Sequence, residues 1–373
     1  MPASPASGSV QDEMNTPVTE PVTESFTESS TGILLLNLGT PDRPDAEAVG
    51  RYLRQFLMDG LVVDIPKPLR WFLVNALIVP RRSHTSAEAY SKIWTDRGSP
   101  LKFHTRDLTA KVQQLVGPKV PVEFAMRYGS PSVREGLEKL KARGVEKLRV
   151  IPLYPQYSLA ATESCLREVE DQLRVLNWKP SVSTVREFHI DEGFLEAFAH
   201  TIRESLSARS WDHLLFSFHG VPERHVKKTD PTEAHCLCKP DCCETRIEAN
   251  QDCYRSQCYQ TAYALARKLE LRPDQFSVSF QSRLGRTPWI RPYTDHLYEE
   301  LPKKGIKSLA VACPAFVADC LETLEEISMR GLESWQEAGG KDLFLIPSLN
   351  SSDPWAKAVV GLSQTLPEKE IGA

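Results

Sequence analysis

The segment Gly32-Ile-Leu-Leu-Leu-Asn-Leu-Gly-Thr-Pro41 is an apolar run that ends in a turn of glycine and proline. An offset of 181 residues brings it onto His213-Leu-Leu-Phe-Ser-Phe-His-Gly-Val-Pro222, with both turn residues in register. A second pair, 144–150 and 305–311, matches at an offset of 161, and Thr162 then aligns with Thr323. Two matches in the same order predict two similar α/β domains, although any two apolar strands with a glycine turn also look alike.

The rest of the chain alternates short apolar runs with helical patterns, which is typical of an α/β fold with parallel strands. We predict two similar domains, each a parallel sheet flanked by helices, with the active-site cleft at the C-terminal ends of the strands. The first domain spans 32–207 and the second 208–350, with a cysteine insert at 230–258, and 351–373 form a C-terminal helix and tail. The predicted strands are 32–37, 120–126, 147–152, 181–187, 212–218, 275–280, 308–312 and 343–347.

The composition is that of an ordinary globular protein without general affinity for nucleic acid. Of the 373 residues, 41% are apolar and 25% are charged, and the net charge of -4 gives no basic footprint. No uncharged apolar run reaches the roughly 18 residues of a membrane-spanning helix. Residues 1–31 contain no Lys or Arg and no apolar core, so we expect a disordered tail rather than a secretory signal.

Two groups of polar residues follow predicted strands, where ligands of open parallel sheets bind. His219 comes at the end of an apolar strand and can titrate near neutral pH, or it can simply cap the strand. Asp319, Glu322 and Glu326 recur at i, i+3 and i+7, so on a helix they share one face. That acidic face could bind a cation or move protons, or it could be a solvated face favoured by the helix dipole.

Arginines beside aromatic residues predict a binding site for a flat apolar ligand that bears carboxylates. Arg127 and Tyr128 follow one strand, and Trp289 ends a loop after another. Each could equally be structural. The apolar segments 56–64 and 69–82, the second ending in two arginines, favour an interfacial helix at a bilayer surface, or a helix packed on the first domain.

Six of the nine cysteines lie between Cys236 and Cys258. A large chain without a secretion signal has little need of disulfides, so this clustering predicts a metal site. The segment lacks the paired C-x-x-C units of zinc ribbons, and the spacing of Cys253 and Cys258 resembles plant-type iron-sulfur ligation. We therefore favour a [2Fe-2S] cluster over zinc. The expected ligands are Cys236, Cys243, Cys253 and Cys258, since Cys242 beside Cys243 would crowd one iron.

Six motifs occur in order along the chain. They are Leu36-Asn-Leu-Gly-Thr-Pro-Asp42, Met126-Arg-Tyr-Gly-Ser-Pro131, Leu153-Tyr-Pro-Gln-Tyr157, Ser217-Phe-His-Gly220, Phe280-Gln-Ser-Arg-Leu-Gly-Arg-Thr-Pro-Trp289 and Pro314-Ala-Phe-Val-Ala-Asp-Cys-Leu-Glu-Thr-Leu324. With these motifs the chain resembles the ferrochelatase family from about residue 32 to 366. The resemblance implies a lyase that inserts Fe2+ into protoporphyrin IX to form haem b with release of two protons, the last step of haem biosynthesis.

The resemblance also implies roles for the residues singled out above. His219 and Glu322 match the metal-site and proton-handling pair of the family, with Asp319 and Glu326 on an associated acidic path. The cysteine insert resembles that of bacterial members with an internal [2Fe-2S] cluster, because residues 351–373 contain no cysteine. Porphyrin is then the flat ligand expected at Arg127, Tyr128 and Trp289.

The expected partners are protoporphyrin IX, ferrous iron, the surface of a membrane and a second copy of the chain, with no nucleic acid. We expect the protein in the cytoplasm, peripheral on the inner face of the cell membrane. Two alternatives stay open from the residues, a cobalt chelatase of tetrapyrrole synthesis and a non-catalytic tetrapyrrole or metal carrier. A carrier has no need of a proton-handling pair, so His219 with Glu322 favours an enzyme.

Overall fold

The computed structural model describes residues 30–365, except for Pro240, Leu284 and Arg286. The predicted disordered tail up to residue 29 and the predicted tail from residue 366 lie outside the described residues. The strands of the described part are β1 Thr31–Gly39, β2 Val122–Tyr128, β3 Lys147–Pro152, β4 Ser181–Thr184, β5 His213–His219, β6 Phe276–Gln281, β7 Ser308–Ala312 and β8 Asp342–Leu345.

The strands form two parallel sheets of the same topology. One has the order β2-β1-β3-β4 and the other β6-β5-β7-β8. Each predicted strand is confirmed, with its ends shifted by three residues or fewer. β5 occupies in the second sheet the position that β1 has in the first, and β7 likewise corresponds to β3. The prediction of two similar α/β domains is therefore also confirmed.

The helices cover the faces of both sheets and also form the connections between strands. They are α1 Ala46–Leu57, α2 Lys67–Phe72, α3 Val79–Ile93, α4 Pro100–Val116, α5 Val133–Ala142, α6 Ser164–Val175, α7 Glu192–Ser207, α8 Glu223–Lys227, α9 Tyr254–Lys268, α10 Thr294–Glu300, α11 Leu332–Glu337 and α12 Asp353–Gln364. Three further segments are π-helical, namely Leu73–Ile78, Leu159–Glu163 and Glu322–Gly331, and Glu248–Asn250 and Pro302–Lys304 are single 3-10 turns. None of the described helices is long and apolar enough to cross a membrane.

The central strands are buried on both faces, which explains their unbroken apolar sequences. Ile33, Leu34, Leu35 and Leu36 of β1 are fully inaccessible to solvent, and Leu214 to Phe216 of β5 are equally buried. A parallel strand covered by helices on both sides needs an apolar residue at every position rather than at alternate ones. The core therefore fixes both sheets and directs the C-terminal ends of their strands towards the loops that carry the polar residues.

Several contacts join the halves of the chain, and two of them concern the C-terminal helix and α8. α12 packs against α4 and α7, so the C-terminal helix returns to the first sheet. Asp64, which lies between α1 and α2, accepts bonds of 2.5 Å from both Arg224 and Lys228, which lie in and directly after α8. Because α8 begins four residues after His219, this pair of ionic contacts fixes the rim of the first domain close to the end of β5. The domain boundary predicted near residue 208 falls between α7 and β5 and stays a prediction.

Candidate active site

His219 is the last residue of β5, and its ring is half-buried between two aromatic side chains. The ring centroids of Trp289 and Phe316 lie 6.5 Å and 6.2 Å from that of the imidazole. Nδ1 lies 2.5 Å from the main-chain oxygen of Gly220. A carbonyl oxygen can only accept, so Nδ1 carries the proton and Nε2 keeps its lone pair. The imidazole is therefore arranged to accept a proton or to bind a metal ion through Nε2.

The acidic residues follow β7, the strand next to β5, on a helix with π geometry. The π-helical segment Glu322–Gly331 begins two residues after Cys320, so Asp319 precedes it. Glu322 and Glu326 share a face because they are four residues apart. The prediction that Asp319 belongs to the same helical face is wrong, since it assumed an α-helix that already includes residue 319. Segments of π-helix are rare and recur at functional sites.

Asp319 instead caps the loop before the helix. Its carboxylate accepts hydrogen bonds from the hydroxyl of Thr323 at 3.1 Å, the main-chain nitrogen of Ser348 at 3.2 Å and the side-chain amide of Asn350 at 2.8 Å. The main-chain nitrogen of Asp319 also donates to Asn350. These bonds bind the loop after β7 to the loop after β8. They give Asp319 a scaffolding position, and its assignment to an acidic path stays a prediction.

The carboxylate of Glu326 interacts electrostatically with both His219 and Glu322. Burial raises its pKa, while the nearby His219 lowers the pKa and Glu322 raises it. The hydroxyl of Ser282 donates to one carboxylate oxygen at 2.5 Å. The three groups thus interact electrostatically, and a carboxyl with a raised pKa is a better proton acceptor than an ordinary one. The structure therefore brings His219 and Glu322 near Glu326, and the catalytic roles of the three residues stay a prediction.

Glu322 faces the first domain. Burial raises the pKa of Tyr52 in α1, and the nearby Glu322 carboxylate raises it further. The same two causes, burial and Glu322, raise the pKa of the Cys320 thiol. Leu321 and Leu324, on either side of Glu322, pack against the helices α1 and α3. The site is therefore formed between the domains, with the chemistry-bearing side chains contributed by the second one.

Arg127 and Tyr128 are already engaged within the first domain. Arg127 bonds Asp59 at 2.7 Å through Nη2 and Ser164 at 2.8 Å through Nε, and Nη1 lies 3.1 Å from Glu168. The hydroxyl of Tyr128 donates to Asp59 at 2.8 Å, and its ring is 2% exposed. These contacts favour the structural interpretation of both residues. Their assignment to porphyrin stays a prediction, as does that of Trp289, whose ring does lie beside His219.

Sequence reasoning missed three residues that hold this site together. Ser282 binds Glu326, Gln281 binds the main chain of Glu322, and Tyr254 binds the main-chain oxygen of His219. Gln281 and Ser282 directly follow β6, so the rule that directed attention to His219 could have found them. Ser282 also has a φ of +65°, a left-handed conformation that a non-glycine residue adopts at a local cost. Nothing in the sequence around Tyr254 indicated its contact.

Four thiols of the cysteine segment, those of Cys236, Cys253, Cys243 and Cys242, interact in successive pairs. The Sγ atoms of Cys242 and Cys243 are 3.7 Å apart, and Cys253 interacts with both Cys243 and Cys236. The main-chain nitrogen of Leu237 donates to Cys242 at 3.4 Å, and Arg255 donates to Cys243 at 3.0 Å. Among the residues that the structure describes, no three His, Cys, Asp or Glu side chains converge closely enough to hold one metal ion. The thiols form a row of pairs instead.

Cys258, the fourth ligand that we predicted, lies in the core beside this row, and its assignment as a ligand stays a prediction. It is fully buried in the core formed with α9, and burial raises its pKa well above the usual value, with Tyr254 as its hydrogen-bond partner. Cys253 caps α9, and five residues of α-helix turn the chain by about 140° beyond one full turn. Both Cys253 and Cys243 still lie near enough to Cys258 to raise its pKa. The structure also brings Cys242 into contact with Cys243.

The helix α2 exposes an apolar surface. Leu69, Trp71 and Phe72 are 56%, 58% and 53% exposed, which is unusual for three large apolar side chains within four positions. We name these three residues the apolar rim. The helix continues through the π-helical segment into α3, which reaches the neighbourhood of Glu322. The segment is thus exposed on its first turn and packed on the domain further along. Its interfacial role at a bilayer stays a prediction.

Comparison with known proteins gives a consistent result. The family model for ferrochelatase matches residues 30–366. The ferrochelatase of Legionella pneumophila (strain Corby) is 45% identical over 328 residues, which are 88% of this chain and 97% of that protein. That of Coxiella burnetii (strain Dugway 5J108-111) is 44% identical over 333 residues, 89% and 93% of the two chains. That of Stutzerimonas stutzeri (strain A1501) is 45% identical over 340 residues, which are 90% of this chain and 98% of that protein.

Proposed function

The chain belongs to the ferrochelatase family, and from this we propose how its cleft inserts ferrous iron into protoporphyrin IX to form haem b with release of two protons. The protein is an enzyme, a lyase of haem biosynthesis, and metal binding is part of its activity. One observation carries the proposal. An imidazole at the end of β5 and a buried carboxylate, Glu326, on the helix that follows the adjacent strand β7 interact with each other, and Glu326 also interacts with Glu322 on the same helix.

Metallation requires acceptors for two pyrrole protons. We assign the first step to His219, because Nε2 keeps a lone pair while Nδ1 is turned towards the main-chain oxygen of Gly220. Glu326 takes protons onward, since burial has raised the pKa of its carboxyl and the imidazolium stabilises its anion. Glu322 lies on the same face of the helix, one turn nearer the first domain. Its carboxylate offers an oxygen ligand to the arriving iron.

The porphyrin occupies the space beside the imidazole in this proposal. Trp289 and Phe316 flank the ring of His219 and present apolar surface to a flat ligand. A macrocycle bent out of its plane directs nitrogen lone pairs towards the iron, so a cleft that favours the bent form lowers the barrier to metallation. The pair of His219 with Glu322 also separates this enzyme from a carrier, which would need the apolar surface but no proton acceptors.

We further propose that the cysteine segment holds a [2Fe-2S] cluster through Cys236, Cys242, Cys243 and Cys253. Two thiolates on one tetrahedral metal lie about 3.8 Å apart when each metal-sulfur bond is about 2.3 Å. The 3.7 Å between the Sγ atoms of Cys242 and Cys243 fits that separation. A row of thiol pairs suits two irons better than one zinc ion, and donors such as Arg255 are typical partners of cluster sulfurs.

Such a cluster supplies one-electron redox chemistry when it is bound, and metallation itself needs none. The surrounding residues nevertheless link the segment to the rest of the protein. Arg246 and Asp252 form ion pairs with Glu187 and Arg186, which follow β4 of the first sheet. The cluster would therefore act through the structure of the segment, and its loss would loosen a contact between the two halves of the chain.

The apolar rim supports peripheral association with a bilayer, the position that we propose for this cytoplasmic enzyme. Three exposed apolar side chains can enter the headgroup region, where Arg81 and Arg82 further along the helix can meet anionic lipids. The macrocycle of protoporphyrin is apolar, so a binding site next to a membrane shortens its path through water. A second copy of the chain stays among the proposed partners, without a surface assigned to it.

The decisive experiment is metallation by the purified protein under anaerobic conditions. Ferrous iron and protoporphyrin IX are supplied together, and the haem spectrum is followed with time. We expect haem to form in proportion to enzyme, with loss of the free porphyrin fluorescence. Binding of porphyrin without turnover would indicate a carrier, and faster turnover with cobalt and a different tetrapyrrole than with ferrous iron would indicate a cobalt chelatase.

A further inference from the structure

Gln281 bonds to the main chain beside both catalytic residues. It is the last residue of β6 and pairs in register with His219. Its main-chain oxygen accepts a bond of 2.7 Å from Gly220, the residue after His219. Its side-chain amide donates a bond of 2.9 Å to the main-chain oxygen of Glu322. The buried residue Gln281 thus binds the main chain of Glu322 and that of Gly220, the neighbour of His219.

The close approach on the His219 side depends on a glycine. A Cβ atom added to Gly220 would lie 2.8 Å from the main-chain oxygen of Gln281, a separation that real Cβ atoms essentially never show. Any larger residue would therefore push β5 and β6 apart at this point. The local sequence permits the contact with Gln281 and keeps the distance between the two strand ends short.

The carboxamide of Gln281 has a defined orientation. The oxygen of Glu322 can only accept a hydrogen bond, so the NH2 group of Gln281 must face it. The carboxamide oxygen then accepts a bond of 2.8 Å from the hydroxyl of Ser217, which is fully buried. Ser217 in turn lies 3.0 Å from the hydroxyl of Thr294, which contacts Ser279 at 2.7 Å. A buried polar network of this kind is favourable only when its members are satisfied, and it then holds one arrangement.

The first domain contains a related contact without the catalytic residues. Arg127, near the end of β2, donates a bond of 3.1 Å from Nε to the main-chain oxygen of Ser164, at the start of α6. β2 occupies in the first sheet the place of β6 in the second. In both domains a side chain at the end of this strand therefore fixes the helix that follows the third strand of the sheet. Only in the second domain does that helix carry Glu322 and Glu326.

We propose that Gln281 is a positioning residue for metallation, whose carboxamide, oriented by Ser217, sets the distance between Glu322 and His219. The proposal rests on the roles given to His219 and Glu322 in the proposed function. Gln281 touches neither substrate in this scheme. It acts by keeping the start of the π-helix against the end of β5, so that an iron ion and the departing protons meet both side chains.

The test compares the turnover number with the Michaelis constant for porphyrin in three variants. Gln281→Met has a similar volume and removes the side-chain hydrogen bonds to Glu322, Ser217 and Cys313, while the main-chain bond to Gly220 stays. Ser217→Ala keeps the donor to Glu322 but removes the shorter of the two bonds that orient the carboxamide, the other being the 3.7 Å contact with the Cys313 thiol. Ser279→Ala removes one hydroxyl from the same buried network and touches neither Glu322 nor Gly220. Ser279→Ala is therefore the matched control for a general loss of stability.

We expect Gln281→Met to lower kcat about tenfold or more, with the KM for porphyrin changed less than about twofold, as for an interaction made in the transition state. Ser217→Ala should show the same pattern to a smaller extent, and Ser279→Ala should leave kcat unchanged. If Gln281→Met does not fold, the comparison of Ser217→Ala with Ser279→Ala decides, because equal kcat in these two overturns the proposal.

Glu322→Gln is measured beside these variants to separate the two hypotheses. Normal kcat in Gln281→Met together with an inactive Glu322→Gln would overturn the positioning role and leave the proposed function in place. Normal kcat in Glu322→Gln would remove Glu322 from the mechanism, and the positioning role would be overturned with it. A Gln281→Met protein whose KM rises while kcat stays normal would instead place Gln281 in porphyrin binding, against the proposal.

Discussion

The hydroxyl of Tyr254 donates a hydrogen bond of 2.9 Å to the main-chain oxygen of His219. Burial raises the pKa of Tyr254 well above its usual value, so the hydroxyl stays protonated and keeps donating. The residue before Tyr254 is Cys253, which caps α9 and belongs to the row of thiols. The cysteine segment is thus linked to the backbone of His219 through a neighbouring residue and a single hydrogen bond.

This contact predicts that Tyr254→Phe weakens the enzyme although the tyrosine lies outside the cleft. We expect a loss of about 1 kcal/mol in the free energy of unfolding, the usual net value of one hydrogen bond. We also expect kcat to fall about threefold to tenfold, because the strand end that carries His219 is less firmly held. Denaturant unfolding and initial rates of metallation measure the two effects. Tyr263→Phe on the same helix is the control, and an equal loss of kcat in both variants would contradict the coupling.

The catalytic assignment predicts that His219→Ala and Glu322→Gln each abolish metallation. Proton acceptors contribute about 10²-fold to 10⁴-fold to a rate, so a residual activity below about 1% is expected for His219→Ala. Circular dichroism and porphyrin fluorescence quenching should show a retained fold and most of the affinity. Glu333→Gln, an exposed glutamate on α11, serves as the matched control. Near-normal turnover in either catalytic variant would remove that residue from the mechanism.

The strands of both sheets and the positions of His219 and Glu322 could be predicted because they depend on local sequence. A doubly covered parallel strand is an unbroken apolar run, whatever surrounds it. The residue that follows such a strand then lies at the ligand-binding edge of the sheet. The duplication could also be predicted, since the turn after β1 and the turn after β5 keep the same glycine and proline.

The remaining features depend on contacts between distant parts of the chain. Arg127 and Tyr128 both donate hydrogen bonds to Asp59, which lies about seventy residues earlier in the chain. No local sequence pattern indicates these contacts. Asp319 was wrongly assigned to the helical face of Glu322 and Glu326, because the sequence does not show where a π-helix begins. The position of Cys258 is different. It follows from the helix itself, because Cys258 lies inside α9 on the side that faces the core.

The row of thiols predicts which cysteines a [2Fe-2S] cluster needs. Cys242→Ser should yield a colourless protein with little iron or sulfide, because it removes one member of the closest pair. Cys258→Ser should keep the reddish colour and the thiolate-to-iron absorption, since that thiol lies in the core. Cys165→Ser, in the first domain, is the control. The reverse outcome, a bleached Cys258→Ser and a coloured Cys242→Ser, would restore the set predicted from spacing.

A colourless wild type with one zinc per chain after anaerobic preparation would defeat the cluster itself. The family assignment would not change, because His219 and Glu322 lie outside the segment. Iron, sulfide and zinc are therefore measured on the wild type first.

The apolar rim predicts a measurable affinity for anionic liposomes. Replacing Leu69, Trp71 and Phe72 by serine should lower this affinity at least about tenfold, because burying one large apolar side chain is worth about 1.5 to 3 kcal/mol. Cosedimentation with vesicles at low salt measures the change. Leu115→Ser, another exposed leucine, on α4, is the control. A wild type that stays wholly in the supernatant would count against membrane association.

The last prediction concerns acid stability and rests on His189. This side chain is 1% exposed, Nε2 lies 3.3 Å from the amide oxygen of Gln260, and Nδ1 has no hydrogen-bond partner among the described residues. Burial lowers its pKa to about 4 in the folded state. An unfolded chain binds the proton at about 6.5. Between these two pH values His189 binds a proton in the unfolded state but not in the folded state. Folding therefore becomes less favourable as the pH falls.

The difference of roughly two and a half pH units corresponds to about 3 kcal/mol of stability, present above pH 6.5 and lost progressively down to pH 4. In His189→Asn no group titrates at this position, so the decline in unfolding free energy between pH 7 and pH 4 should be smaller by about that amount, even if the variant is less stable at neutral pH. Urea unfolding at a series of pH values gives both curves. His200→Asn, an exposed histidine on the neighbouring helix α7, should decline as the wild type does. If His189→Asn declines in parallel with the wild type, His189 is already charged in the folded protein and the burial argument fails.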